Sequence, residues 1–176
     1  MYEELKIILW PDPRLKKQSQ PVVEFDGKLA ALAERMFELM RAAKGVGLAA
    51  PQVGQNVRMF IMNPTGDPKD DQVYVNPELT EAGGSEEAEE GCLSLPGLYG
   101  PVVRPKQVRI NAYSLDGKEI EVDVTELMAR CIQHEVDHLD GVLFIDRLPP
   151  VTRDRIKKKI QKEGFPKETA HHAFAL

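Results

Sequence analysis

The spacing of apolar and polar positions changes several times along the chain, and each change marks an expected element. From Asp26 to Lys44 the apolar residues Leu29, Leu32, Ala33, Met36, Phe37 and Met40 recur at intervals of three and four, which predicts an amphipathic helix. Asp26 is its expected N-cap and Gly45 its expected C′ residue. Ahead of it, Leu5 to Val23 carries Pro11, Pro13 and Pro21 and reads as extended and turned. The run Gly45-Val46-Gly47-Leu48-Ala49-Ala50-Pro51-Gln52 is too small and too broken by Gly and Pro to be helical. Val57 to Asn63 reads as a largely buried strand, Val73 to Val75 as a short strand ended by Asn76-Pro77, and Glu78 to Glu90 as an acidic loop. Val108, Ile110 and Ala112 alternate with polar residues, as do Ile120, Val122 and Val124, and Asp116-Gly117 between the two sets signals a hairpin. A second helix is expected from Thr125 to about Leu139, a short strand from Gly141 to Ile145, and a third, basic helix from Thr152 to Glu163. Strands fall in hairpin-like groups rather than in alternation with helices, so an α+β fold with antiparallel β-sheets is favoured over a doubly wound parallel sheet.

Composition narrows the class. The 176 residues correspond to one domain, 1–176, with 151–176 a basic helix and tail, and suffice to bury a core without a disulfide scaffold. With 42% hydrophobic and 29% charged residues, global disorder is excluded. No apolar run approaches the ~20 residues of a membrane span, and MYEELKIILWPDP has neither the basic nor the apolar region of a secretory leader. A cytoplasmic location without a membrane partner is expected. The net charge of −5 sets the chain apart from proteins that bind DNA by broad phosphate neutralisation. Cys92 and Cys131 are too few for a disulfide framework, but either can be a ligand or nucleophile.

The most informative run is His134-Glu135-Val136-Asp137-His138, on the second expected helix. Residues four apart share a helix face, so both imidazoles can chelate one metal ion. Glu135 points in a neighbouring direction, towards a water that such an ion would hold. Metal binding lowers the pKa of a water towards ~7, and a carboxylate beside it can take and return the proton. The bland alternative is a solvated helix with two unrelated histidines. A third protein ligand is still needed. One pattern places a third His six residues on, but that position is Phe144. Another places a Glu some twenty-odd residues downstream, where Glu163 could serve. Cys131 shares the face, but seven residues, about 10.5 Å of helix rise, separate it from His138, and it reads as a small buried residue. Cys92, in Glu90-Gly91-Cys92-Leu93-Ser94-Leu95-Pro96, remains, although a lone Cys among apolar residues is more often core than ligand.

Three segments together go further. Gly45 to Gln52, Glu90 to Ser94, and Gln133 to Gly141 resemble, in order and spacing, the three signature motifs of peptide deformylases. The resemblance runs from about Leu5 to Arg147, including Pro11-Asp12-Pro13-Arg14-Leu15 and Ile145-Asp146-Arg147-Leu148. It implies antiparallel sheets packed around a central metal-binding helix, and one divalent ion held by Cys92, His134 and His138. That ion would be Fe(II) in cells, with Zn(II), Ni(II) or Co(II) also able to fill such a site. It further implies removal of the formyl group from N-formylmethionine on newly made polypeptides. Glu135 would carry the proton, while the Leu93 N–H and the Gln52 side-chain amide would stabilise the oxyanion. The backbone of Val46 and Gly47 would pair with one side of an extended substrate and Gly91 with the other. Leu127, Cys131 and Val46 would wall an apolar slot for methionine. Arg130 faces the same way, where the resemblance implies an aliphatic residue. Its stem can pack while the guanidinium reaches solvent or Glu90, and Glu90 and Arg104 are a conjectured structural pair.

Competing readings are an endopeptidase with Glu163 as third ligand and a non-catalytic module with a closed structural zinc shell. Elsewhere, the glutamates of the 81–90 stretch read mostly as a solvated loop. The basic helix, with Arg153, Arg155, Lys157, Lys158, Lys159 and Lys162, reads as a solvated face or, by the same resemblance, a ribosome-docking element. His171 and His172 read as tail residues, not ligands.

Overall fold

Asp26 caps the first helix as its position predicts: its carboxylate accepts from the N–H groups of Lys28 and Leu29, both at 3.1 Å, and α1 runs Gly27–Ala42. The computed structural model describes residues 1–167 and 176; His171 and His172 lie outside the described residues. All six periodic apolar positions of α1 are buried. The helix ends differently from expectation. Lys44, not Gly45, takes the left-handed conformation (φ 58°), and the Gly45 N–H donates to Met40 O at 2.9 Å in a Schellman closure. What Gly45 provides is space, because a Cβ there would lie 2.6 Å from Leu93 Cδ1.

Seven strands follow among the described residues: β1 (Gly47–Ala49), β2 (Met59–Met62), β3 (Gln72–Gly83), β4 (Glu86–Cys92), β5 (Leu95–Arg104), β6 (Gln107–Tyr113) and β7 (Glu119–Thr125). They pair antiparallel, as a five-stranded sheet in the order β1-β2-β3-β6-β7 and a separate β4-β5 ribbon. The hairpin expected at Asp116-Gly117 joins β6 to β7. Its two alternating apolar sets face each other in register, Val108 with Val124, Ile110 with Val122 and Ala112 with Ile120.

Two expectations fail in this region. β3 does not stop at Asn76-Pro77, because the register slips between Val75 and Glu78 and the proline, which has no N–H to give, falls in the irregularity. Asn76 sits at φ 49° there, and its side chain ties down the N-terminal segment, accepting from Val22 N–H at 2.8 Å and donating to Val22 O at 2.9 Å. Nor is Glu78 to Glu90 a loop, since most of it lies in β3 and β4. Strand β4 leaves Glu87 and Glu89 exposed and, of its own residues, buries only Glu90, Gly91 and Cys92, so a charged sequence still forms a strand.

The helix α2 (Glu126–Leu139) starts just after Thr125, as expected, and closes at Gly141 (φ 74°), with Val142 N–H donating to Asp137 O at 2.8 Å. A Cβ on Gly141 would lie 2.4 Å from Lys16 O. The strand expected at Gly141 to Ile145 is absent. Asp146 accepts from Leu143 N–H at 2.9 Å, and this local bond turns Phe144–Arg147 into a 3-10 helix. Leu143, Phe144 and Ile145 are buried all the same, with Trp10, Leu15, Cys92, Leu95 and Val102. The basic helix α3 (Pro150–Glu163) begins with proline in its first turn and buries Ile160 in the same cluster.

α2 stands between the two β layers. Ala129, Cys131 and Ile132 share a core with Phe60, Met62 and Ile110 of the large sheet, while Arg130, His134 and His138 reach Glu90 and Cys92 on β4. The α+β arrangement around a central helix is thus as expected. No helix among the described residues is long and apolar enough to cross a membrane.

Candidate metal centre

His134 and His138 lie one helical turn apart on α2, and their Nε2 atoms are 3.1 Å apart. Cys92, at the end of β4, brings its Sγ to 3.3 Å from His138 Nε2. The three ligand-type atoms all lie within 4.8 Å of one another, and their residues are at most 2% exposed. A tetrahedral ion with bonds of about 2.0–2.3 Å spaces its ligands by about 3.3–3.6 Å. The two separations of 3.1 and 3.3 Å lie near that spacing, so the cluster offers the donors for one divalent cation, and three protein donors leave a fourth position open. Cys131 is also buried, but it stands in the apolar core rather than in this cluster. Glu163 ends α3 and is exposed.

Burial governs the protonation of these groups. It pushes the Cys92 thiol well above its ordinary value, with the nearby Glu135 charge adding to the effect. It drives His138 well below its ordinary value, helped by the adjacent His134. Both shifts keep the groups neutral until a cation arrives, and a bound cation reverses the balance at the thiol. Glu135 is completely buried and neither carboxylate oxygen has a partner, nor has His138 Nδ1. An unpartnered buried carboxylate is costly. Burial, and then the charge of Glu90, raises the Glu135 carboxyl well above the usual range, so it is set to take up a proton. Gly47 makes room for it, since a Cβ there would lie 3.0 Å from both Glu135 Oε1 and Cys131 Sγ.

Beneath the cluster lies a buried ionic network. Glu90 Oε1 is 2.9 Å from His134 Nδ1, a contact that turns Nε2 towards the cluster. Arg104 donates twice to Glu90 (2.5 and 2.9 Å), and Arg130 donates to its Oε2 at 2.6 Å. Burial alone would raise the Glu90 carboxyl, but the bonds from Arg104 and His134 outweigh it and hold the group below the usual carboxylate range. Arg104 also donates to Asp137 (2.9 Å), which takes two further bonds from Arg147 (2.6 and 2.7 Å). The conjectured Glu90–Arg104 pair is thus present, within a larger array. Arg130 is buried, and its guanidinium reaches Glu90, Val102 O (2.9 Å) and Glu86 O (2.8 Å) rather than solvent. Sequence reasoning overlooked Asp137 and Arg147; the signal was a charged residue inside the histidine motif and another just beyond the buried run 143–145.

Gln52 is fully buried at the metal side of β1. Its Oε1 accepts from Ala49 N–H (3.0 Å), while its Nε2 donates to Ser94 Oγ (3.1 Å) and points at Cys92 Sγ (3.5 Å). Leu93 follows Cys92 directly and packs against α1 residues. Val46 precedes β1, the edge strand of the large sheet, and its carbonyl accepts from Asn63 N–H at 2.8 Å. Gly91 precedes Cys92 on β4. Leu127 is half-buried in the first turn of α2, and Met128 beside it packs against the core that holds Cys131.

Comparison with known proteins agrees with this geometry. Residues 4–154 match the family model described as polypeptide deformylase. The chain is 50% identical over 146 residues to a peptide deformylase of Rhodopirellula baltica, covering 82% of this chain and 73% of that one. It is 44% identical over 158 residues to a peptide deformylase of Chromobacterium violaceum, covering 90% and 95%. The crystal structure of a peptide deformylase from Legionella pneumophila superimposes with a TM-score of 0.85 at 45% identity, covering 89% of this chain and 93% of that one. The chain belongs to the polypeptide deformylase family, hydrolases that remove the formyl group from N-formylmethionyl peptides.

Proposed function

We propose that this hydrolysis takes place at the Cys92–His134–His138 cluster, with Glu135 carrying the proton. The observation that supports it most is a wholly buried carboxylate without a partner beside three convergent metal donors. A thiol and two imidazoles suit several borderline ions; by the family likeness Fe(II) is proposed as the native metal, with Zn(II), Ni(II) or Co(II) as substitutes. When bound, the cation polarises the formyl group and lowers the pKa of a water molecule towards ~7.

Glu135 takes a proton from the attacking water as the new C–O bond forms. The Leu93 N–H and Gln52 Nε2 donate to the oxyanion that develops on the formyl oxygen. Glu135 then passes its proton to the departing amine as the C–N bond breaks, leaving formate and a free methionyl N-terminus. Val46 and Gly47 hold the peptide along the free edge of β1, Gly91 holds its other side, and Leu127, Cys131 and Val46 line the methionine slot.

Protein loaded anaerobically with Fe(II) should release formate from formyl-Met-Ala-Ser. Cys92→Ala should lose the bound metal on dialysis, by elemental analysis, and formate release with it. If that variant kept both its metal and peptide cleavage, the endopeptidase reading with Glu163 would stand instead.

The exposed Arg155, Lys158, Lys159 and Lys162 of α3 support a docking face for the anionic ribosome surface. Changing Lys158, Lys159 and Lys162 to Glu should weaken cosedimentation with ribosomes at low salt and leave turnover of a short peptide unchanged. Undiminished cosedimentation would remove the docking proposal.

A further inference from the structure

Leu176 is 1% exposed and belongs to the same buried apolar cluster as Ala129, Cys131 and Ile132, against which Val46 and Met128 pack. Its N–H donates to Gly91 O at 3.2 Å, and its carbonyl accepts from Leu93 N–H at 3.3 Å. Gly91 and Leu93 flank Cys92, so these two bonds lay the Leu176 backbone alongside the candidate metal ligand. Three features proposed for substrate are therefore taken at once: the Gly91 carbonyl, the Leu93 donor and the apolar cluster beside Cys131. Leucine and methionine are close in volume and exchange easily in apolar sites, so a pocket shaped for one accepts the other.

We infer that Leu176 is an intramolecular ligand of this site and competes with the formylmethionyl peptide. The inference rests on the substrate reading above. It makes the chain self-limiting: peptide enters only when Leu176 has left, and the apparent KM rises by the inverse of the open fraction. Once Leu176 has left, the Leu93 N–H is free again for the bound peptide, so kcat is not expected to change.

Two readouts test this on the full chain. If the closed form makes up about 90% of molecules, Leu176→Asp should lower KM for formyl-Met-Ala-Ser about tenfold at unchanged kcat. Leu176→Met should keep or raise the wild-type KM. Independently of turnover, hydrogen–deuterium exchange over residues 91–95 of zinc-loaded protein should be slow in the wild type and Leu176→Met and fast in Leu176→Asp. An unchanged KM or unchanged exchange in Leu176→Asp overturns the inference. So does a fall in kcat with loss of thermal stability, because Leu176 would then be a structural plug. Failure of every variant to release formate would instead count against the substrate reading, while the exchange result would still decide whether Leu176 occupies the site.

Discussion

Glu135→Gln should retain the metal, keep the fold and lose formate release by a factor of about 10²–10⁴, the range by which a positioned acid–base group accelerates proton transfer. The substitution keeps the size of the side chain, so it still fits the space that Gly47 leaves beside it. A second consequence separates this residue from a structural one. The Glu135 carboxyl lies above its ordinary 4.5 in the folded chain. The metal-free folded state therefore holds a proton that the unfolded chain gives up near 4.5. Glu135's contribution to stability is full below that pH and is lost as pH rises towards the folded value. Glu135→Gln should remove this dependence and leave the metal-free protein at least as stable at pH 7, measured by thermal melting at several pH values. Activity near wild type in Glu135→Gln would take Glu135 out of the mechanism.

Glu90→Ala should be the most damaging substitution outside the metal ligands. It strips the shared carboxylate from Arg104 and Arg130 and the orienting partner from His134. Removing one member of a buried ionic array costs about 3–5 kcal/mol, because the remaining charges stay buried without compensation. Urea unfolding of the zinc-loaded protein should show that loss, and metal affinity should fall about 10–100-fold through His134. The pH dependence here has the opposite sign to that of Glu135. The folded chain holds Glu90 below 4.5, so its contribution is complete above 4.5 and disappears as pH falls below it. Glu90→Gln should flatten this acid limb. A change under 1 kcal/mol in Glu90→Ala would mean that the array is not what supports the cluster.

These two carboxylates also mark how far local pattern reaches. Glu135 was recognisable because its neighbours fall at helical spacing, and a helix places i and i+4 on one face whatever surrounds it. Glu90 stands in a run of glutamates that reads as solvated, and only the family resemblance sets it apart, with Arg104 and Arg130 as conjectured partners. The difference is made by Arg104 on β5 and Arg130 on α2, 14 and 40 residues away. The strand misassigned at Gly141 to Ile145 makes the same point at short range. An apolar run says only that it will be buried, and the bond from Leu143 N–H to Asp146 decided its backbone. At a helix C′ position Gly45 would serve through its conformational freedom, whereas the contact with Leu93 shows that its missing Cβ is what matters.

The sequence alone determined the buried face of α1, the alternating faces of β6 and β7 and the pairing of two imidazoles, because each depends on spacing within a single element. With the family resemblance it also pointed to Cys92. Only the tertiary structure decided that Cys92, 46 residues before His138, reaches the same point in space, that Glu90 is buried among arginines, and that Leu176 lies beside the site. Those contacts join segments whose separation carries no periodic signal. They form only when the β4-β5 ribbon closes over α2 and removes both from water.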